Sequence, residues 1–188
     1  LNDDLARSLL LDIVGDGAGG FIAGWLDGRN TAQGLYAQRV NASGQRQWGP
    51  GGFVLAPATL VFPTGFWPLA GGGLLYTWID VRGTDWNLFA QRVSPAGTLA
   101  WGATGAAVTT ATGRQGFAPI LDDGAGGAIV AWQDYRTPPS DMIYQQRLNA
   151  AGAPQSDVPV AIVDQGFWGL PLEHGVTGSD GLAWLIPT

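Results

Sequence analysis

Cysteine is absent from this chain, lysine is absent, and histidine and glutamate occur once each, as His174 and Glu173. Without cysteine there are no disulfides, no thiolate metal ligands and no cysteine nucleophile, although the redox compartment stays open. One histidine cannot form a multi-histidine metal site, and it has no Gly-x-Ser-x-Gly elbow to serve as a base. A lone glutamate leaves a glycosidase short of its carboxylate pair. Asp122 with Asp123 and the segment Gly15-Asp16-Gly17 fall short of the oxygen density of a calcium loop. No metal, no cofactor and no catalytic residue is therefore expected. Charged residues make up only 13% of the 188 positions, and the nine cations are all arginines spread along a chain of net charge -6. Nucleic acid, which needs a positive footprint, is not an expected partner. Gly, Asp, Arg and Gln interrupt every apolar stretch before it reaches the length of a membrane-spanning helix.

What is abundant is glycine, 30 residues, and tryptophan, nine, in a chain that is 46% apolar. This is the composition of a turn-rich β protein with enough apolar mass for a sizeable core. The tryptophans keep a period. Trp25-Leu-Asp27-Gly-Arg29 is echoed by Trp78-Ile-Asp80-Val-Arg82 and by Trp132-Gln-Asp134-Tyr-Arg136, at spacings of 53 and 54, and Trp184 follows 52 later. A second marker stays in step with it: Gln38-Arg39, Gln91-Arg92 and Gln146-Arg147 stand 13, 13 and 14 residues after their tryptophans. Turn segments Asn41-Ala42-Ser43-Gly44, Ser94-Pro95-Ala96-Gly97 and Asn149-Ala150-Ala151-Gly152 come next. Trp48 and Trp101 follow the first two of these, and Ser156 holds the equivalent place in the third copy.

Each copy resolves into four short strands joined by glycine-rich turns. In the third copy the strands lie around 119–121, at 128–133, at 142–148 and at 158–163. Strands two and three are apolar on both faces, which implies burial on both sides. One face of strand two is bulky (Phe21, Ala23 and Trp25; Leu74, Tyr76 and Trp78) and the other small, which suits nesting of successive sheets. The expected fold is all-β, a β-propeller of four-stranded antiparallel blades, with repeats at 9–60, 61–113, 114–165 and an incomplete 166–188, about three and a half blades in all.

The paired markers resemble the degenerate propeller-like repeats of secreted and cell-surface bacterial proteins, whose unit reads Asp-Gly-x-Gly-Gly-x-x-x-x-Trp-x-Asp-x-Arg followed by Tyr-x-Gln-Arg-Val. The resemblance covers residues 9–187. It implies an extracellular, cell-surface or periplasmic location and assigns no activity. A start at Leu1 without an initiator methionine is expected of a piece of a longer gene product.

A catalytic group is needed once, whereas a structural device recurs in every unit. Trp25, Asp27, Arg29, Arg39, Trp78, Asp80, Arg82, Arg92, Trp132, Asp134, Arg136, Arg147 and Trp184 therefore read as structural, the aspartates accepting hydrogen bonds or pairing with arginine and the arginine stems of the Gln-Arg pairs covering aromatic faces. The aromatics that break the repeat are the candidates for a ligand or partner surface: Trp67 and Trp168 at equivalent positions, and Trp86 in a variable loop with Asp85 and Asn87. An incomplete ring exposes a sheet edge and an apolar blade face. The expected function is thus non-enzymatic, a protein-interaction or assembly module whose open edge is covered by a partner or by self-association. A carbohydrate-binding propeller using Trp86 is the alternative, and a hydrolase on this scaffold, through His174 and Glu173, the third.

Overall fold

The computed structural model describes residues 8–28, 34–56, 61–81, 83–136, 142–155, 160–163, 174–177 and 183–186. Among these residues every regular element is a β-strand. Three sheets of the same plan follow one another along the chain. The first runs β1 (Ser8–Gly15), β2 (Phe21–Asp27), β3 (Gly34–Val40) and β4 (Phe53–Ala56), in that spatial order. The second repeats it with β5 (Val61–Leu69), β6 (Gly73–Asp80), β7 (Asn87–Val93) and β8 (Ala106–Thr109). In the third, the first strand is split into β9 (Gln115–Gly116) and β10 (Ile120–Asp122), which both pair with β11 (Ala128–Asp134), followed by β12 (Met142–Leu148) and β13 (Val160–Val163). A hairpin of β14 (His174–Thr177) and β15 (Ala183–Ile186) comes last. All of these ladders are antiparallel. Of the fourth strand expected at 158–163 in the third sheet, Val160–Val163 is strand, and residues 158 and 159 lie outside the described residues.

The irregularities repeat as faithfully as the strands. The first strand is bulged at one register in all three sheets. Leu11 is the extra residue between Leu10, opposite Trp25, and Asp12, opposite Gly24; Thr64 is the extra residue between Pro63, opposite Trp78, and Gly65, opposite Thr77. In the third sheet the same place is the gap between β9 and β10, where Phe117 has φ 25°. The third-to-fourth strand ladders also shift at equivalent pairs, Leu35/Tyr36, Leu88/Phe89 and Ile143/Tyr144. A bulge sharpens local twist, so two bulges at fixed registers give each sheet the same twisted shape and let one nest on the next.

The core lies between sheets. Ile22, Leu35 and Ala37 of the first sheet form one buried cluster with Leu74, Tyr76, Trp78 and Val93 of the second. Leu75, Ile79, Leu88 and Ala90, on the opposite face of the second sheet, form another with Ile120, Ala128, Val130, Trp132 and Leu148 of the third. Strand β6 is consequently buried at every position, the two-sided burial expected from its sequence. Nesting is knob into gap: Phe66 occupies the space over Gly24, where a Cβ would stand 2.6 Å from its ring. First strands of successive sheets are neighbours, β1 beside β5, β5 beside β10 and β10 beside β14.

Candidate functional site

The repeated charged residues are consumed by the scaffold. Trp25 Nε1 donates to Asp27 Oδ2 at 3.0 Å, and Trp132 Nε1 donates to Asp134 Oδ2 at 3.1 Å. The spacing of two residues puts indole and carboxylate on the same face of one strand, within reach of each other. Asp134, fully buried, also accepts from Arg136 Nε at 2.7 Å and from the Arg136 amide at 3.1 Å, and is ion-paired to the Arg136 Nη2. The Arg136 guanidinium then lies 4.8 Å over Tyr144, itself stacked on Trp132 at 5.9 Å. Burial alone would raise the Asp134 pKa; the bonds from Arg136 and Trp132 outweigh it and hold the carboxyl below its ordinary value. Trp78 and Asp80 sit in the same places on β6, both buried. Arg29, Arg82 and Trp168 lie outside the described residues; for Trp184, on β15, only the backbone is described.

The Gln-Arg pairs do something the sequence reading missed. Gln38 and Gln91 are fully buried, and their side chains clamp the segment that leads to the fourth strand. Gln38 Oε1 accepts from the Trp48 amide at 2.9 Å while its Nε2 donates to the Gly49 carbonyl at 2.6 Å; Gln91 does the same with the Trp101 amide at 2.8 Å and the Gly102 carbonyl at 2.6 Å. The arginines of these pairs were expected to cover aromatics. Instead they reach for aspartates at the first hairpin: Arg39 to Asp16 at 3.0 Å, Arg147 to Asp123 at 3.0 Å, Arg92 to Asp122 at 2.9 Å. The physical reason is that a charge-assisted bond to a shielded carboxylate is stronger than a stem lying on a ring. The hairpin of the second sheet, 70–72, is Ala-Gly-Gly and offers no aspartate, so Arg92 crosses to Asp122 and to the Gly127 carbonyl, 3.2 Å away, in the next sheet.

Two tryptophans clasp one sheet to the next. Trp48 Nε1 donates to the Pro95 carbonyl at 3.0 Å, and Trp101 Nε1 donates to the Ala150 carbonyl at 3.1 Å. Each acceptor is the second residue of the following sheet's turn, and each indole lies against that turn's glycine. A Cβ on Gly97 would stand 3.0 Å from Trp48 Cδ1, and one on Gly152 2.6 Å from Trp101 Cγ.

The aromatic candidates of the variable loops take different places. Trp67, on β5, is partly buried and packs against the core between the second and third sheets. Trp86 has two partners: Phe62 stacks on it at 5.9 Å, and the Arg114 guanidinium stands 4.0 Å from its centroid. Its amide donates to the Gly113 carbonyl at 3.1 Å, and Asp85 Oδ1 accepts from the Gly113 amide at 2.7 Å, so the 84–86 loop is tied to the start of the third unit. Asn87 Oδ1 and the neighbouring Gln115 Oε1 are buried acceptors with no hydrogen-bond donor among the described residues. His174 is on β14, opposite Ile186, and Glu173 lies outside the described residues.

The exposed large apolar residues are concentrated on the first strands. Leu9, Leu10 and Ile13 of β1 are 62%, 58% and 56% exposed; Phe62 of β5 and Phe117, in the bulge before β10, are exposed as well. Between β1 and β5, beside the two bulges, a cleft of about 180 Å³ is lined by Leu11, Asp12, Pro63, Thr64, Gly65 and Phe66. Its polar groups are engaged: Asp12 Oδ1 accepts from the Ile13 amide at 2.7 Å, and the Thr64 and Thr77 hydroxyls are 2.9 Å apart. The described residues contain no cluster of three or more histidines, cysteines, aspartates or glutamates placed to hold a metal, and no helix long and apolar enough to cross a membrane. No family model, curated protein or solved structure matches this chain.

Proposed function

We propose that the chain is a non-enzymatic assembly module: its sheets are blades of a β-propeller, and its exposed first-strand surface binds protein within an exported or cell-surface complex. The observation that carries this reading is that Leu10 and Ile13, opposite Trp25 and Ala23 and therefore on one face of the first sheet, are 58% and 56% exposed. Large apolar side chains gathered on one surface are what protein interfaces use, whereas scattered ones need no explanation. The blade reading is supported by the equal plan of the sheets, by contact of first strand with first strand, and by clasps at the far turns, the arrangement radial nesting requires.

The edge of β1 supports it further. Among the described residues this strand pairs only with β2, and its other edge presents backbone donors and acceptors beside two exposed leucines. Of the repeated carboxylates, by contrast, Asp134 is occupied by the Trp132 indole and the Arg136 guanidinium and Asp27 accepts from the Trp25 indole, which disfavours acid-base work there. A sugar platform at Trp86 is disfavoured in the same way, because Phe62 and Arg114 already lie against the ring.

The test is the native mass by light scattering over a range of concentrations, for the unaltered chain and for a Leu10→Asp, Ile13→Asp double variant. A co-purifying protein that raises the native mass of the unaltered chain and is lost from the double variant is expected. A monodisperse monomer at high concentration that binds no protein from its source, with the double variant indistinguishable, would overturn the proposal.

A further inference from the structure

The clasp that joins the sheets leaves one acceptor unfilled. In the second sheet the turn around Gly97 receives Trp48, and in the third the turn around Gly152 receives Trp101. The first sheet has the same turn, with Gly44 at φ 78° against 82° and 80° for Gly97 and Gly152. The Asn41 side chain holds it just as Asn149 holds its counterpart: Asn41 Oδ1 accepts from the Ser43 and Gln45 amides at 3.0 and 2.9 Å, and Asn149 Oδ1 from the Ala151 and Ala153 amides at 2.9 and 3.0 Å. Yet among the described residues nothing stands within 4 Å of a Cβ placed on Gly44, and no hydrogen bond reaches the Ala42 carbonyl, the counterpart of Pro95 and Ala150. Gly44 is exposed where Gly152 is buried.

A second, independent contrast lies on the same sheet. Ile13 pairs with Ala23, as Phe66 pairs with Tyr76 and Ile120 with Val130, so the three are register equivalents. Phe66 is seated on Gly24 of the preceding sheet, and Ile120 is 2% exposed in the core against the second sheet; Ile13 is 56% exposed. The first sheet thus has both elements that its successors use to receive a preceding sheet, an indole acceptor at the turn and an apolar knob on the first strand, and no described residue occupies either.

We infer that the outer face of the first sheet is a docking site for one further four-stranded repeat of this class, carrying a tryptophan four residues after its turn glycine. The occupant is not a second copy of this chain. Trp48 and Trp101 are already spent on internal clasps, the third unit has Ser156 where the clasp indole belongs, and β14 adjoins its first strand at β10. The indole therefore comes from a repeat outside residues 1–188, in the same or another polypeptide. This rests on the assembly reading above and specifies its partner.

The test extends the full chain with a duplicate of residues 9–60 placed ahead of it, so that the added repeat brings its own Trp48. Docking is expected to make the added repeat unfold in one transition with the chain, and to slow hydrogen exchange of its Trp48 indole N–H by roughly tenfold relative to an unprotected indole, the change one net hydrogen bond brings. Trp48→Phe in the added repeat alone, which keeps a ring and removes the donor, is expected to lower its unfolding midpoint. A repeat that docks but is insensitive to Trp48→Phe, with an indole exchanging freely, would overturn the clasp and leave the assembly reading standing. A repeat that folds yet unfolds independently, with Ile13 still exposed to solvent labelling, would overturn the docking site itself. The light-scattering comparison decides the assembly reading separately.

Discussion

At the scale of the residue, this chain spends its few polar side chains on buried, saturated bonds. Gln91 shows what that is worth. It is fully buried and is bonded to the Trp101 amide and the Gly102 carbonyl, so Gln91→Leu strands two backbone groups. Leaving each unpaired costs about 1–3 kcal/mol, so a loss of roughly 2–6 kcal/mol is expected in denaturant unfolding, with a similar loss for Gln38→Leu. The carboxylates give a pH prediction. Backbone donation from Ala18, with help from Gly20 and Arg39, lowers the Asp16 pKa against the pull of burial. Asp123 is desolvated, which would raise it, but the Ala125 and Gly127 amides and Arg147 bring it down on balance; Asp134 is lowered by Arg136 and Trp132. All three lie below their ordinary value of 3.8, so the folded state releases these protons more readily than the unfolded chain. Their stabilisation is complete above that value and is lost as pH falls through the folded pKa values. Urea midpoints should therefore be flat from neutral pH to about pH 5 and fall steeply below pH 4; a midpoint that holds at pH 3 would show the carboxylates to be uncoupled from folding.

At the scale of the element, strands and turns were legible because their signals are local. Tryptophan two residues before aspartate marks strand two, and Asp123-Gly-Ala-Gly-Gly127 marks its hairpin, where Asp123 Oδ1 accepts from the Ala125 and Gly127 amides at 2.8 Å each. The bulges were not legible, because the extra residues Leu11, Thr64 and Ala118 share no chemistry; what they share is a register position, which only the ladder reveals. The inter-sheet clasps escaped for a related reason: Trp48 and Pro95 are 47 residues apart, and no sequence period says which carbonyl an indole will find. The aromatic candidates stood out as departures from the repeat, but whether a ring is free or engaged, as Trp86 is with Phe62 and Arg114, depends on neighbours from other strands. The turns carry a prediction that separates strain from packing. Gly44→Ala and Gly152→Ala both place a side chain at positive φ, which costs roughly 1–2 kcal/mol. Only at Gly152 does the new Cβ also meet a ring, at 2.6 Å from Trp101. Gly152→Ala should therefore be the more destabilising in thermal unfolding, and equal losses would mean that the indole yields freely.

At the scale of the whole molecule, the described sheets form a line in which each touches its neighbours, so stability is a sum of sheet and interface terms rather than the property of one central core. The second sheet has an apolar cluster on each face, whereas Leu10 and Ile13 leave part of the first sheet's outer face in solvent. Amide exchange should consequently be slowest in β6 and β7 and faster in β1. The clasps make this ordering testable by mutation. Trp48 is 5% exposed and ties the first sheet to the second; Trp101, 6% exposed, ties the second to the third. Truncating a buried tryptophan to alanine costs about 3–5 kcal/mol. If coupling runs only between neighbours, Trp48→Ala should accelerate exchange in β1 to β4 while β11 and β12 keep their protection, and Trp101→Ala should do the reverse. Exchange followed strand by strand by mass spectrometry would read both patterns. An equal loss of protection in every sheet from either substitution would instead mean that the sheets open as one unit, as a closed ring of blades would.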